Sequence, residues 1–166
     1  MGSVSDLASH FLEAVDQAAI ASAAWRGKGE KDAADDAAVE AMRRTFDNVP
    51  FDGRVAIGEG ERDEAPMLFI GEQLGCEIGN PNVPKIDIAV DPLECTNNCA
   101  SNSPNSIAVL AAAPRADPRL LADLEAVFKL ALAVLAELAT FCTCLLALAN
   151  ALVFIVGLIV MFACES

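Results

Sequence analysis

The sequence predicts an α/β domain of layered architecture followed by an apolar helical segment, and three observations lead there. Two stretches near the N-terminus carry apolar residues at helical spacing, three later stretches read as short strands, and charge disappears towards the C-terminus. Residues 1–114 hold 19 of the 24 acids, whereas Leu138 to Cys164 is a run of 27 residues without a charge. The character of the chain changes near Pro114 to Pro118. The reading is therefore a domain over 1–114, an amphipathic helical connector over 115–137 and a hydrophobic helix over 138–164.

In "SDLASHFLEAVDQAAIASAAW", Leu7, Phe11, Leu12, Val15 and Ala19 recur at helical spacing, with Ser5 as the N-cap. Gly27 and Gly29 interrupt that helix, and "DAADDAAVEAMRRTF" resumes the spacing through Ala34, Ala37, Val39, Met42 and Phe46, with Asp35 near the start. Asp52-Gly53 reads as a turn before the short strand "RVAI", which empties into "GEGERDE", four acids in seven residues. "APMLFIGEQLG" reads as a helix ending at Gly75, "KIDIAVD" as a strand with Ile86, Ile88 and Val90 on one face, and "SIAVLAAA" as a further strand.

Eleven basic residues against 24 acidic ones give a formal charge of -13, which argues against a nucleic-acid partner, since phosphate backbones demand clustered Lys and Arg. The six cysteines follow no secreted spacing and the N-terminus lacks the apolar run of a signal peptide, so a reducing compartment is expected. "CTNNC" and "CTC" are poor matches to zinc-binding pairs, and His10 is the only histidine.

The uncharged run has the length of a membrane span, because a helix rising about 1.5 Å per residue crosses the roughly 30 Å of a bilayer core within it. A single span is expected, with Arg115, Arg119 and Lys129 keeping the acidic domain on the cytosolic or stromal side and Asn150 turned towards protein.

The acids suggest a site. Asp35 opens a helix, Glu59 and Glu61 follow one strand, and Asp91 and Glu94 follow another. In "DPLECT" a proline restricts the backbone between two carboxylates and the hydroxyl of Thr96 comes two positions later. Such hard oxygen ligands suit a cation like Mg²⁺, and convergence at one edge of the sheet is the expectation.

Four blocks in order, "GKGEKDAADDAAVEAMR", "IGEGERDEAPMLFIGE", "DIAVDPLECT" and "PNSIAVLA", resemble the N-terminal part of the class II fructose-1,6-bisphosphatases of the bacterial glycerol-operon type. The cyanobacterial and algal enzymes that also take sedoheptulose-1,7-bisphosphate are especially similar. The resemblance implies the layered α/β sugar-phosphatase fold shared with inositol monophosphatases and a requirement for Mg²⁺ or Mn²⁺. It also implies hydrolysis of the C1 phosphate by a metal-activated water. By position, Asp35, Glu59, Asp91 and Glu94 match metal ligands, Asp63 matches the acid that helps activate water, and Thr96 matches the hydroxyl that orients it.

The chain departs from the family at two points. The motif is DPxEGT, and Cys95 stands where the glycine belongs; if that turn needs φ > 0, the side chain strains it. The resemblance covers residues 19 to about 114, and a further metal ligand and most sugar-gripping residues come from beyond that part. A truncated or fused sugar bisphosphatase with impaired activity is the first functional expectation. A non-catalytic, membrane-anchored subunit with protein partners in the membrane is the alternative, and a third reading gives the stretch after residue 114 no function.

Overall fold

The computed structural model describes residues 4–58, 68–115 and 157–161, together with 126, 128, 129 and 133. A single 3-10 turn, Val4–Leu7, leads into α1 (Ala8–Ala23), followed by α2 (Lys31–Phe46), β1 (Asp52–Ile57), β2 (Gln73–Leu74) and β3 (Lys85–Glu94). A short α3 (Thr96–Ala100), β4 (Ile107–Pro114) and β5 (Gly157–Met161) complete the described elements. The strands form one mixed sheet in the order β2-β1-β3-β4-β5. β1 runs parallel to β3, β4 returns antiparallel beside β3, and β5 lies parallel to β4.

Alternation along β3 sends Ile86, Ile88 and Val90 to one face, where they join Val55, Ala108, Leu110 and Ala112 in the core. Phe11, Val15 and Ala18 of α1 and Ala34, Ala38, Val39, Met42 and Phe46 of α2 cover that face. Three rings meet at its centre, with centroids 5.6 Å apart for Phe11 and Phe51, 6.0 Å for Phe46 and Phe51, and 6.3 Å for Phe11 and Phe46. Gly75 exists for this cluster: at φ +99, a side chain there would fall 2.2 Å from the Phe51 carbonyl oxygen.

Polar groups on β1 and β3 are paired across the strands. Arg54 and Asp87 are register partners and form a two-pronged ion pair at 2.9 and 3.1 Å. Arg115 reaches Asp87 at 3.2 Å and Asp52 at 3.3 Å, and its backbone N–H donates to the Lys85 carbonyl. Arg115, expected in the connector that flanks a membrane, is thus tied into the sheet.

Several sequence expectations are corrected here. Ser5 is no N-cap: α1 opens after Leu7 with no side-chain cap bond. Leu12 is 47 % exposed, because the inner face of α1 is taken by Phe11, Ala14, Val15 and Ala18. Ala38 rather than Ala37 is the buried alanine of α2. Asp52 and Gly53 are the first residues of β1, not a turn, since they pair with Lys85 and Ile86.

The described part of "APMLFIGEQLG", from Leu68 onward, is not helical. Gly71 donates to the Val55 carbonyl and Val55 donates to the Glu72 carbonyl, so the backbone bonds of this stretch go to β1. Arg43 of α2 grips Glu72 at 2.7 Å and fixes the segment from the other side.

The expectation of one continuous apolar helix over 138–164 fails at Gly157–Met161, which is β5. The sequence "GLIVM" is rich in strand formers, and the free edge of β4 offers N–H and C=O groups that a parallel strand satisfies. Among the described residues no helix is long and apolar enough to cross a membrane. The remainder of the expected span, with Asn150, lies outside the described residues.

Candidate functional site

β1 and β3 are parallel, so both finish at the same end of the sheet, at Ile57 and Glu94. Gly58 follows β1 in a space closed by the returning chain: a Cβ there would lie 2.2 Å from the Leu68 carbonyl oxygen. Glu59, Glu61 and Asp63 fall between those two points and lie outside the described residues.

The acids of "DPLECT" are part of β3 rather than a turn beyond it. The strand runs to Glu94, and its register with β4 shifts between Asp91 and Glu94, which accommodates Pro92. Asp91 is buried, and its Oδ1 accepts a 3.1 Å hydrogen bond from the Leu93 N–H. Glu94 is half-buried and Thr96 is the first residue of α3.

Between them Cys95 adopts φ 63°, ψ 51°, the left-handed conformation that favours glycine. Its carbonyl is heavily used, accepting from Asn98 N–H at 2.9 Å, Cys99 N–H at 3.4 Å and the Ser106 hydroxyl at 3.0 Å. The thiol donates to Glu94 Oε1 at 3.4 Å. Burial, this bond and the charges of Glu94 and Asp91 push the thiol pKa up to about 11, so it is no reactive thiolate at neutral pH. Replacing Cys95 with glycine is expected to stabilise the chain by about 1 kcal/mol, because the left-handed strain disappears while the turn's hydrogen bonds remain. Urea denaturation of both forms measures it, and an unchanged midpoint refutes the strain.

Asp35 sits in the second turn of α2. Its Oδ1 is buried and has no hydrogen-bond partner among the described residues, a costly state for a carboxylate. Desolvation by burial, then the charges of Asp36 and Asp32, raise its pKa from 3.8 to about 6. A carboxyl raised in this way favours the folded state fully below pH 3.8, and that contribution is lost as pH rises through about 6. Asp35→Asn carries no such penalty, so the variant's thermal midpoint is expected to gain on the wild type between pH 4 and pH 7.5 in chelator. A constant difference over that range would show that Asp35 titrates normally.

The start of α2 reaches the same end of the sheet through its connector. Gly27 N–H donates to the Cys99 carbonyl and Gly29 N–H to the Ala100 carbonyl, both at 2.9 Å, which seats the connector on the C-terminal end of α3. The connector into α2 and the helix that follows β3 are thereby joined. Among the described residues, however, no three His, Cys, Asp or Glu side chains form a ready metal-holding group. The groove of about 540 Å³ between α1 and α2, lined by His10, Glu13, Gln17, Arg44, Thr45 and Asn48, contains none of Asp35, Asp91, Glu94 and Thr96.

The donors fit a hard divalent cation. They are all oxygens, and the unpartnered Oδ1 of Asp35 is the buried polar atom that a cation would satisfy. Sequence reasoning did not single out Ser106, which anchors the Cys95 carbonyl, nor the contact of Arg26 with Asn102. The only prior signal for the latter was the turn-rich "SNSPNS", where Asn102 and Asn105 take positive φ.

A mixed α/β sheet with helices packed on one face, and with Asp91 and Glu94 at the end of β3, is consistent with a sugar-phosphatase domain. Residues 5–143 match the family described as bacterial fructose-1,6-bisphosphatase, glpX-encoded, and the chain belongs to that family. The match extends to residue 143, beyond the boundary near residue 114 that the four sequence blocks mark.

The chain is 57% identical over 109 residues to the D-fructose 1,6-bisphosphatase class 2/sedoheptulose 1,7-bisphosphatase of Prochlorococcus marinus strain MIT 9303, covering 66% of this chain and 31% of the relative. It is 56% identical over 109 residues to the protein of the same description from Synechococcus sp. strain CC9605, again 66% of this chain and 31% of the relative. For strain MIT 9515 of Prochlorococcus marinus the figure is 58% over 106 residues, 64% of this chain and 31% of the relative. The chain thus spans 31% of the length of the curated relatives it matches.

Proposed function

We propose that this chain carries the metal-holding edge of a sugar-bisphosphate phosphatase, with fructose-1,6-bisphosphate or sedoheptulose-1,7-bisphosphate as substrate and Mg²⁺ or Mn²⁺ as cofactor. The observation that carries the reading is the buried, unpartnered carboxylate oxygen of Asp35 on a helix that packs on β3, the strand that bears Asp91 and Glu94. The names of the relatives supply the reaction, removal of phosphate from a sugar bisphosphate.

In this reading Asp35, Glu59, Asp91 and Glu94 hold the cation, Asp63 accepts a proton from the attacking water, and Thr96 orients that water. A bound divalent cation supplies a lower pKa for water and neutralises charge that builds on the phosphoryl oxygens. The chain's own contribution is orientation. The Asp91 carboxylate is held by the Leu93 N–H, and the turn at Cys95 is held by Ser106, so both acids of β3 keep one geometry as a ligand arrives. Acidic residues gathered at one end also repel a bare bisphosphate, which makes the cation a condition for substrate binding rather than an accessory to it.

The deciding measurement is Mn²⁺ binding to the 166-residue chain, followed by phosphate release from fructose-1,6-bisphosphate with Mg²⁺ or Mn²⁺. Binding that is lost on chelation, with metal-dependent release far slower than a whole enzyme's because most sugar-gripping residues are lacking, is the expected result. A chain that neither binds Mn²⁺ nor releases phosphate overturns the reading.

A further inference from the structure

Every residue of β4 from Ile107 to Ala113 is buried, so both faces of the strand are out of water. Along a strand the N–H and C=O groups alternate between the two edges, and half of those on β4 therefore turn away from β3. A buried edge left unpaired would leave those groups without partners. The outer edge of β4 is a slot that has to be filled.

β5 fills it, with Gly157 to Met161 set against Ala108 to Ala112 in parallel register. This strand comes from outside residues 5–143, the stretch that matches the family. About 40 residues of chain separate it from Arg115, so a long closed loop and not a tight connection brings it to the edge. β5 is the last strand of the sheet, held by β4 along one side and packed against α1. Withdrawing it breaks no bond between β3 and β4.

We propose that the outer edge of β4 is a strand-acceptor site for an extended, uncharged apolar segment running parallel to it. The chain's own 157–161 occupies the site in cis, as a strand that leaves without unfolding the sheet, and the same segment of a second copy fits it in trans. Main-chain bonds supply the attraction in this mode of recognition, and they are the same whichever copy donates the strand. "GLIVM" suits the role, with the strand formers Ile159 and Val160, no proline and no charge. Charges that would guard it against pairing with another chain are missing throughout Leu138 to Cys164.

Two prolines test it. In the full 166-residue chain, Leu158→Pro together with Ile159→Pro removes a ladder N–H whichever of the two residues faces β4. The probe is a fluorescent peptide copying residues 156–162, with lysines added at both ends for solubility. It is expected to bind the double variant at least about tenfold more tightly than the wild type, whose own tethered strand competes for the edge. The same peptide carrying the two prolines is expected to bind neither chain.

Equal binding to both chains, or none to the double variant, would overturn the acceptor site. If the double variant does not fold, amide hydrogen exchange of the wild type carries the test. Alternate amides between Ala108 and Ala112 face β5, and they are expected to exchange at least about tenfold faster than their neighbours bonded to β3, because β5 leaves by itself. Uniform protection along β4 would overturn the proposal. So would wild-type chain that floats with phosphatidylcholine vesicles while those alternate amides exchange without protection, since lipid would then be the partner of the segment.

Discussion

Asp91→Asn is expected to reduce Mn²⁺ affinity by about 100-fold or more while leaving the thermal midpoint nearly unchanged. The magnitude follows from a comparison. Loss of a partner that merely orients a metal ligand costs about 10- to 100-fold, so loss of a ligand's charge sits at or above the upper end. Asparagine is the informative replacement because the Asp91 Oδ1 that accepts the Leu93 N–H survives in the amide. Alanine would strip that buried N–H of its acceptor and add about 1–3 kcal/mol of destabilisation unrelated to the metal. Isothermal titration with Mn²⁺ and thermal denaturation give the two readouts. Unchanged affinity in a folded Asp91→Asn chain would remove Asp91 from the ligand set.

Phe51→Ala should lower stability by about 4 kcal/mol, within the range typical for deleting a buried aromatic ring. Phe51 is fully buried and lies against both Phe11 and Phe46, so its ring joins α1, α2 and the entry to β1. The surroundings cannot collapse into the space left behind. Gly53 and Gly75 already press on the ring, with Cβ positions that would fall 2.2 Å from Phe51 atoms, and their missing side chains leave nothing to swing inwards. For a chain with about 5–15 kcal/mol of total stability, the loss is large enough to populate the unfolded state under mild denaturant. Urea titration of the two forms measures it. A cost below about 1 kcal/mol would show that the aromatic cluster is not the centre of the core.

How legible each feature was depended on the range of the interactions behind it. The helices containing Phe11, Val15, Val39, Met42 and Phe46 and the strand faces of Ile86, Ile88 and Val90 were readable, because apolar periodicity is a local record of which side is buried. Asp35, Asp91, Glu94 and Thr96 could be named as candidates from residue type, order along the chain and resemblance to a family. The strain at Cys95 was foreseeable from the glycine it replaces, and its φ of 63° bears this out.

Other features were set by partners distant in sequence. "APMLFIGEQLG" has helical composition, yet the described residues from Leu68 give their hydrogen bonds to β1, and Arg43 of α2 holds Glu72 in place. "GLIVM" is as apolar as a membrane helix, and only the open edge of β4 makes Gly157–Met161 a strand. Asp52 looked like a turn residue until its pairing with Lys85 and Arg115 put it in the sheet. By itself the sequence determined most of the buried face of α1, α2 and β3 and the family to which the chain belongs, because both follow from residue type and short-range spacing. Only the tertiary structure decided the strand at 157–161, the seating of Gly27 on α3 and the unpartnered oxygen of Asp35, because each depends on which distant backbone groups and side chains come to lie beside it.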